Sequence, residues 1–255
     1  MYDALLAETV TFTGHGGDRV EAYAARPLAP GPFGGVVVIH HMPGYDRATK
    51  EIVRRFAAEG YAALCPNLYS REAPGASPEE ASAIARSRGG VPDERLVGDV
   101  AGAVRELRGL ASSNQRVAVV GYCSGGRQAL LAACELDLDA AVDCYGAFAT
   151  RLPPEDFPLA VTPVTPLLPG LSCPLLGLFG AEDTTPSPEE TAELEAALKA
   201  RGKEYAFHTL AGAGHAFFAV DRERYRPEPA LEGWRLLLDF LARHLATDSG
   251  ARATR

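Results

Sequence analysis

A thiol framed by glycines stands out in one short stretch, Gly121-Tyr122-Cys123-Ser124-Gly125-Gly126. The apolar run 117–120 feeds directly into it, and a helical pattern follows from Arg127 to about Glu135. A strand that passes through a sharp turn into a helix lifts its apex side chain clear of both, and such an elbow excludes bulk at −2 and +2. With Cys123 at the apex, those positions are Gly121 and Gly125. The sulfur then sits above a helix N-terminus, where the dipole favours thiolate over thiol. Ser124 competes for the role, but in that register Tyr122 would fall at −2. Cys123 is therefore the expected nucleophile, and Ser124 offers its backbone N–H to an oxyanion.

A thiol nucleophile needs a histidine base, and the histidine needs a carboxylate to fix its tautomer. His215 lies in the loop Ala211-Gly212-Ala213-Gly214-His215-Ala216-Phe217, just past an expected strand at 205–210. Asp183 closes Gly180-Ala181-Glu182-Asp183, directly after an expected strand at 175–179. Loops at the carboxyl ends of parallel strands are where α/β sheets place their chemistry. The order nucleophile, acid, histidine is that of an α/β-hydrolase. His40 and His41 also follow a buried run, 36–39. In that fold the loop there supplies a second oxyanion N–H, here Met42. His40 reads as a packing residue, whereas His41 is open to a functional or a structural role. His15, His208 and His244 read as surface or structural.

The elements that must hold these groups alternate. Residues 9–13 and 20–25 form an expected antiparallel hairpin. Runs at 36–39, 61–65, 117–120, 140–145 and 175–179 suit strands buried on both faces of a parallel sheet, and 205–210 is a more mixed strand. A helix is expected near 49–59. Ser77-Pro78-Glu79-Glu80 and Ser187-Pro188-Glu189-Glu190 each spell a capping box, and Gly202 is a natural end for the second helix. Leu231, Trp234, Leu238, Leu241 and Leu245 fall on one face of a final helix. The Pro-rich stretch 148–172 is either a pocket wall or an excursion without a role. The expected architecture is a single three-layer α/β domain over 1–246 with a mostly parallel central sheet, followed by a fraying tail at 247–255.

At 255 residues the chain suits one sizeable core, and a net charge of −8 argues against a nucleic-acid partner. No apolar run is long enough for a membrane span, and the start lacks a secretory pattern. Five scattered cysteines without a Cys-x-x-Cys pair suggest reduced thiols in a cytoplasm. Cys65, Cys134, Cys144 and Cys173 read as small core fillers.

Taken together, the elbow, Gly-Ala-Glu-Asp183, Gly-Ala-Gly-His215-Ala-Phe-Phe and Arg-Tyr225-Arg-Pro-Glu before the Trp234 helix resemble the dienelactone hydrolase family over nearly the whole chain. The resemblance implies an α/β-hydrolase fold and a Cys123–His215–Asp183 hydrolase acting on esters or lactones through a thioester. It implies neither metal nor organic cofactor, and oxyanion donors at the backbone of Ser124 and Met42. The partner expected is a small-molecule ester or lactone, and the assembly a monomer or small homo-oligomer.

Two positions depart from the family pattern. A glutamate that handles the resting thiol's proton is replaced by His41, which would hold a thiolate as an ion pair or bond a substrate. Of two arginines that grip a substrate carboxylate, one position is Ala219. The other falls near Arg86 and Arg88, with Arg71, Arg222 and Arg224 as further substitutes. Tyr122 and Phe217 complete the expected substrate pocket. The alternatives are a small-acyl thioesterase and a catalytically silent binding domain. A Rossmann nucleotide site is disfavoured because no Gly-x-Gly-x-x-Gly follows the 36–39 strand.

Overall fold

The computed structural model of the protein describes residues 1–246; the expected tail at 247–255 lies outside them. Eight strands form one sheet in the order β1-β2-β4-β3-β5-β6-β7-β8. β1 (Leu5–Thr13) and β2 (Arg19–Pro27) make the N-terminal antiparallel hairpin, and β2 also pairs antiparallel with β4 (Ala62–Pro66). From β4 onward the pairing is parallel, through β3 (Phe33–Ile39), β5 (Ser113–Tyr122), β6 (Ala140–Cys144), β7 (Leu175–Gly180) and β8 (Tyr205–Leu210).

Strand side chains alternate between faces, and here both faces are apolar. Val37, Ile39, Val117 and Val119 point to one core, which α2 (Pro78–Ser87), α3 (Asp93–Arg108), α4 (Ser124–Glu135) and α5 (Pro188–Ala200) cover. Val36, Val38, Ala118 and Val120 point to the other, under α1 (Arg47–Ala58) and α6 (Pro227–Leu245). The molecule is therefore a three-layer α/β domain. The register matches Ile39 to Gly121 and Tyr122 to Cys144, and ends β7 and β8 together at Gly180 and Leu210. The loops after β3, β5, β7 and β8 thus open on the same edge of the sheet.

Two local expectations need correction. Ser77 forms the full capping box with Glu80, but Ser187 forms only half of one. The Ser187 hydroxyl accepts from the Glu190 N–H, while the Glu190 carboxylate turns inward and accepts from the Ala149 N–H. On α6 the buried face is Ala230, Gly233, Trp234, Leu237, Phe240, Leu241 and Leu245, leaving Leu231 63% exposed. A 3.6-residue period lets either residue 230 or 231 precede Trp234 on the stripe, and docking on the sheet selects Ala230.

Candidate active site

Cys123 sits at the end of β5 with φ +57°, a left-handed conformation that cysteine rarely adopts. Its N–H donates to the Cys144 carbonyl at 3.0 Å, and its own carbonyl accepts from the Gly126 N–H at 2.8 Å. The glycine frame is required by close approach. A Cβ on Gly121 would lie 1.8 Å from the Gly125 carbonyl oxygen, and one on Gly125 would lie 2.3 Å from that of Ile39. Half-buried Cys123 stands at the N-terminus of α4, where the helix leaves its first N–H groups without internal acceptors.

Around the sulfur the structure assembles a relay. Cys123 Sγ is 3.1 Å from His215 Nε2, and His215 Nδ1 is 3.0 Å from Asp183 Oδ2. Asp183 is buried, and its other oxygen accepts from the Thr185 N–H at 2.8 Å, which fixes the carboxylate's orientation. The edge-on Tyr145 ring packs 5.2 Å from the imidazole. Burial works against a charged His215, but the bonds to Asp183 and Cys123 outweigh it and push the imidazole up to about 10. This geometry suits a histidine that stores a proton beside a nucleophilic sulfur.

The three groups open into a cavity of about 320 Å³, lined also by Met42 and Ser124. The Tyr69 hydroxyl donates to the Met42 carbonyl at 2.9 Å and steadies that loop. Phe148, Phe157, Leu159, Ala160 and Val161 form an apolar wall, with Phe148 and Phe157 edge to face at 4.7 Å. The Pro-rich stretch is thus a pocket wall over 148–161, while Thr165–Gly170 forms a short 3-10 helix that does not line the cavity. Gly89 and Gly90 lie against this wall, and the Gly89 carbonyl accepts from the Ala160 N–H at 2.8 Å.

Several expected pocket residues lie elsewhere. Tyr122 ends β5 on the opposite face from the cavity, buried against Phe218 at 5.6 Å. Phe217 turns into the same core and is fully buried beside Tyr145. Half-buried Arg86 and exposed Arg88 belong to the end of α2 and do not line the cavity, although the glycines after them do. His41 bonds through Nε2 to Asp46 Oδ2 at 2.7 Å and makes no hydrogen bond to Cys123 among the described residues. Asp46 is the N-cap of α1, and its second oxygen is what captures the ring. Burial opposes the charge on Asp46, yet the His41 and Thr49 bonds hold its carboxyl well below the usual range.

His40 behaves as packing: Nδ1 donates to the His41 carbonyl and Nε2 accepts from the Leu68 N–H, while burial drives the ring down to about 4. Arg71 is locked on Asp99. Two arginines do reach the cavity. Arg224 lies on its exposed side, whereas Arg127 is buried and bound at two points to Asp93 and to the Thr162 carbonyl. The sequence carried no signal for Arg127, because Asp93 reads as an ordinary first-turn helix acid 34 residues away. Cys65, Cys134, Cys144 and Cys173 are all buried, which pushes their thiols up, Cys134 and Cys173 to about 12.

The dienelactone hydrolase family profile matches residues 20–245. The chain belongs to this family. It is 32% identical over 228 residues to "Putative carboxymethylenebutenolidase" of Methylorubrum extorquens, covering 88% of this chain and 77% of that one. It is 30% identical over 236 residues to "Probable 2-oxo-3-(5-oxofuran-2-ylidene)propanoate lactonase" of a Bradyrhizobium species, covering 91% and 92%. Among solved structures, the "Putative Dienelactone Hydrolase" of Klebsiella pneumoniae superposes with a TM-score of 0.82 at 28% identity, over 94% of this chain and all of that one. Among the described residues no helix is long and apolar enough to cross a membrane.

Proposed function

We propose that this protein hydrolyses small carboxylic esters or lactones, with Cys123 as nucleophile, His215 as base and acid, and Asp183 as the group that orients the histidine. The observation that carries this reading is the unbroken chain from Sγ through both imidazole nitrogens to a buried carboxylate, at 3.1 and 3.0 Å. The lactonase name carried by the Bradyrhizobium relative favours a cyclic ester among the substrates.

In the reaction, the Cys123 thiolate attacks the carbonyl carbon and forms a C–S bond, and the carbonyl oxygen becomes an oxyanion facing the Ser124 and Met42 N–H groups. As the C–O bond breaks, His215 gives its Nε2 proton to the departing alkoxide, which stays on the same molecule when the substrate is a lactone. The neutral imidazole then takes a proton from water, whose oxygen attacks the thioester. Collapse breaks the C–S bond and returns the thiolate beside a protonated His215, and the acid product leaves. Asp183 holds Nδ1 protonated, so that Nε2 is always the nitrogen that exchanges the proton.

The test is a panel of p-nitrophenyl esters, simple lactones and a cis-dienelactone, assayed with wild type and Cys123→Ala. We expect wild-type turnover of at least one class, and a loss on the order of 10³-fold or more in the variant. No hydrolysis by wild type would overturn the reading, as would undiminished hydrolysis by the variant.

A further inference from the structure

A second cavity of about 70 Å³ lies near the triad but shares no lining residue with the catalytic one. Tyr145, whose ring packs on His215, forms part of its wall, together with His41. Two further groups in the lining lack counterparts. Half-buried Arg55 on α1 holds its guanidinium 4.0 Å from the centre of the Trp234 ring and pairs with no carboxylate among the described residues. Tyr122 is 4% exposed, and its hydroxyl is buried without a hydrogen-bond partner. A buried donor left without an acceptor is costly, so such groups in native proteins usually have a partner.

The chemistry of the wall selects what that partner is. Burial holds the Tyr122 phenol well above its ordinary value, so the hydroxyl keeps its proton and donates; the Arg55 charge acts on the same group in the opposite direction. Glu51 also borders the cavity, but it is exposed and engaged by Arg54. Asp46 nearby is taken by His41, Thr49 and Arg222. Ile52, Phe218, Val220 and Trp234 leave much of the wall apolar. The volume exceeds what a single water needs. Water alone would satisfy the hydroxyl and leave the guanidinium without a counter-charge, whereas one carboxylate answers both.

We propose that this cavity is a binding site for a small carboxylate, held by Arg55 and the Tyr122 hydroxyl, with its carbon end against Ile52, Phe218 and Trp234. Such an occupant lies outside the catalytic cavity and takes no part in bond making there.

Trp234 is the chain's single tryptophan, so it reports on the site directly. Sodium acetate is titrated at constant ionic strength against sodium chloride, using the Cys123→Ala protein so that binding is read independently of hydrolysis. The expected result is a saturable change in Trp234 fluorescence with acetate, and none in Arg55→Met. Because Arg55→Met alters the surroundings of Trp234 by itself, Tyr122→Phe supplies the second arm, read by saturation-transfer NMR on acetate. Its affinity should fall about tenfold, the loss of one hydrogen bond to a charged group. Absence of saturation, an equal response to chloride, or unchanged affinity in both variants would overturn the assignment; the first is the outcome for a cavity that holds only water. These results stand apart from the hydrolysis assay, which turns on Cys123 and not on Arg55 or Tyr122.

Discussion

The imidazole of His215 is held between a thiol and a carboxylate, and both bonds favour its protonated form. A folded-state pKa raised to about 10 contributes stability that is complete below about pH 6.5 and is lost as pH rises through about 10. In the proposed mechanism the same proton goes to the departing alkoxide, so activity and this contribution should decline together on the alkaline side. Replacing Asp183 with Asn removes the negative partner and frees the wrong tautomer. We expect kcat to fall by about 10⁴-fold, with the alkaline limb of kcat/KM displaced to lower pH. A pH–rate profile of Asp183→Asn whose alkaline limb coincides with wild type would contradict this account. The meeting of Cys123, His215 and Asp183 was legible because each follows a strand at its carboxyl end, where the residue type suggests the proposed role. His41 and Tyr122 also sit at strand ends, yet both miss the catalytic cavity. Strand alternation turns Tyr122 to the far face, and the helix-capping Asp46 draws His41 aside.

At the level of elements, sequence periodicity located the helices better than it located their buried faces. In α6 the steps 231–234 and 230–234 both fit a helical repeat, so composition favoured Leu231 while packing buries Ala230. The consequence is measurable by urea unfolding. Leu231→Lys should leave stability within about 0.5 kcal/mol of wild type, whereas Leu237→Ala should cost about 2–5 kcal/mol. Equal losses would mean that the α6 face is assigned wrongly. The second capping motif shows a related limit. Its serine does what the pattern requires, but Glu190 serves the loop after β6, a tertiary demand that no local motif records. The wall 148–161 was recognisable as irregular from its prolines. Its place beside the cavity includes the Gly89–Ala160 bond, between residues remote in sequence, which no local pattern records.

Across the whole molecule, the antiparallel hairpin is tied to the parallel sheet's outer layer by one fully buried carboxylate. Asp99 on α3 accepts from the His15 N–H in the hairpin turn and from both terminal nitrogens of Arg71, which also reaches Asp18. The arginine considered for substrate binding is instead a structural tie. Removing Asp99 leaves the His15 N–H without its acceptor and Arg71 with Asp18 alone, and Asp99→Ala should cost about 1–3 kcal/mol. For a domain of this size that lowers the thermal midpoint by about 2–12 °C. Esterase activity at 20 °C should persist in whatever fraction remains folded, because none of these groups touches the catalytic cavity. A melt unchanged from wild type would show that the tie carries no stability. The placement of the cavity wall has a corollary for substrate choice. The residues proposed as triad and oxyanion donors follow strand ends, while the apolar side of the cavity is a loop that contributes no strand to the sheet. Under the proposed mechanism, replacing residues 148–161 is therefore expected to change which substrates fit while leaving the groups that make and break bonds in place.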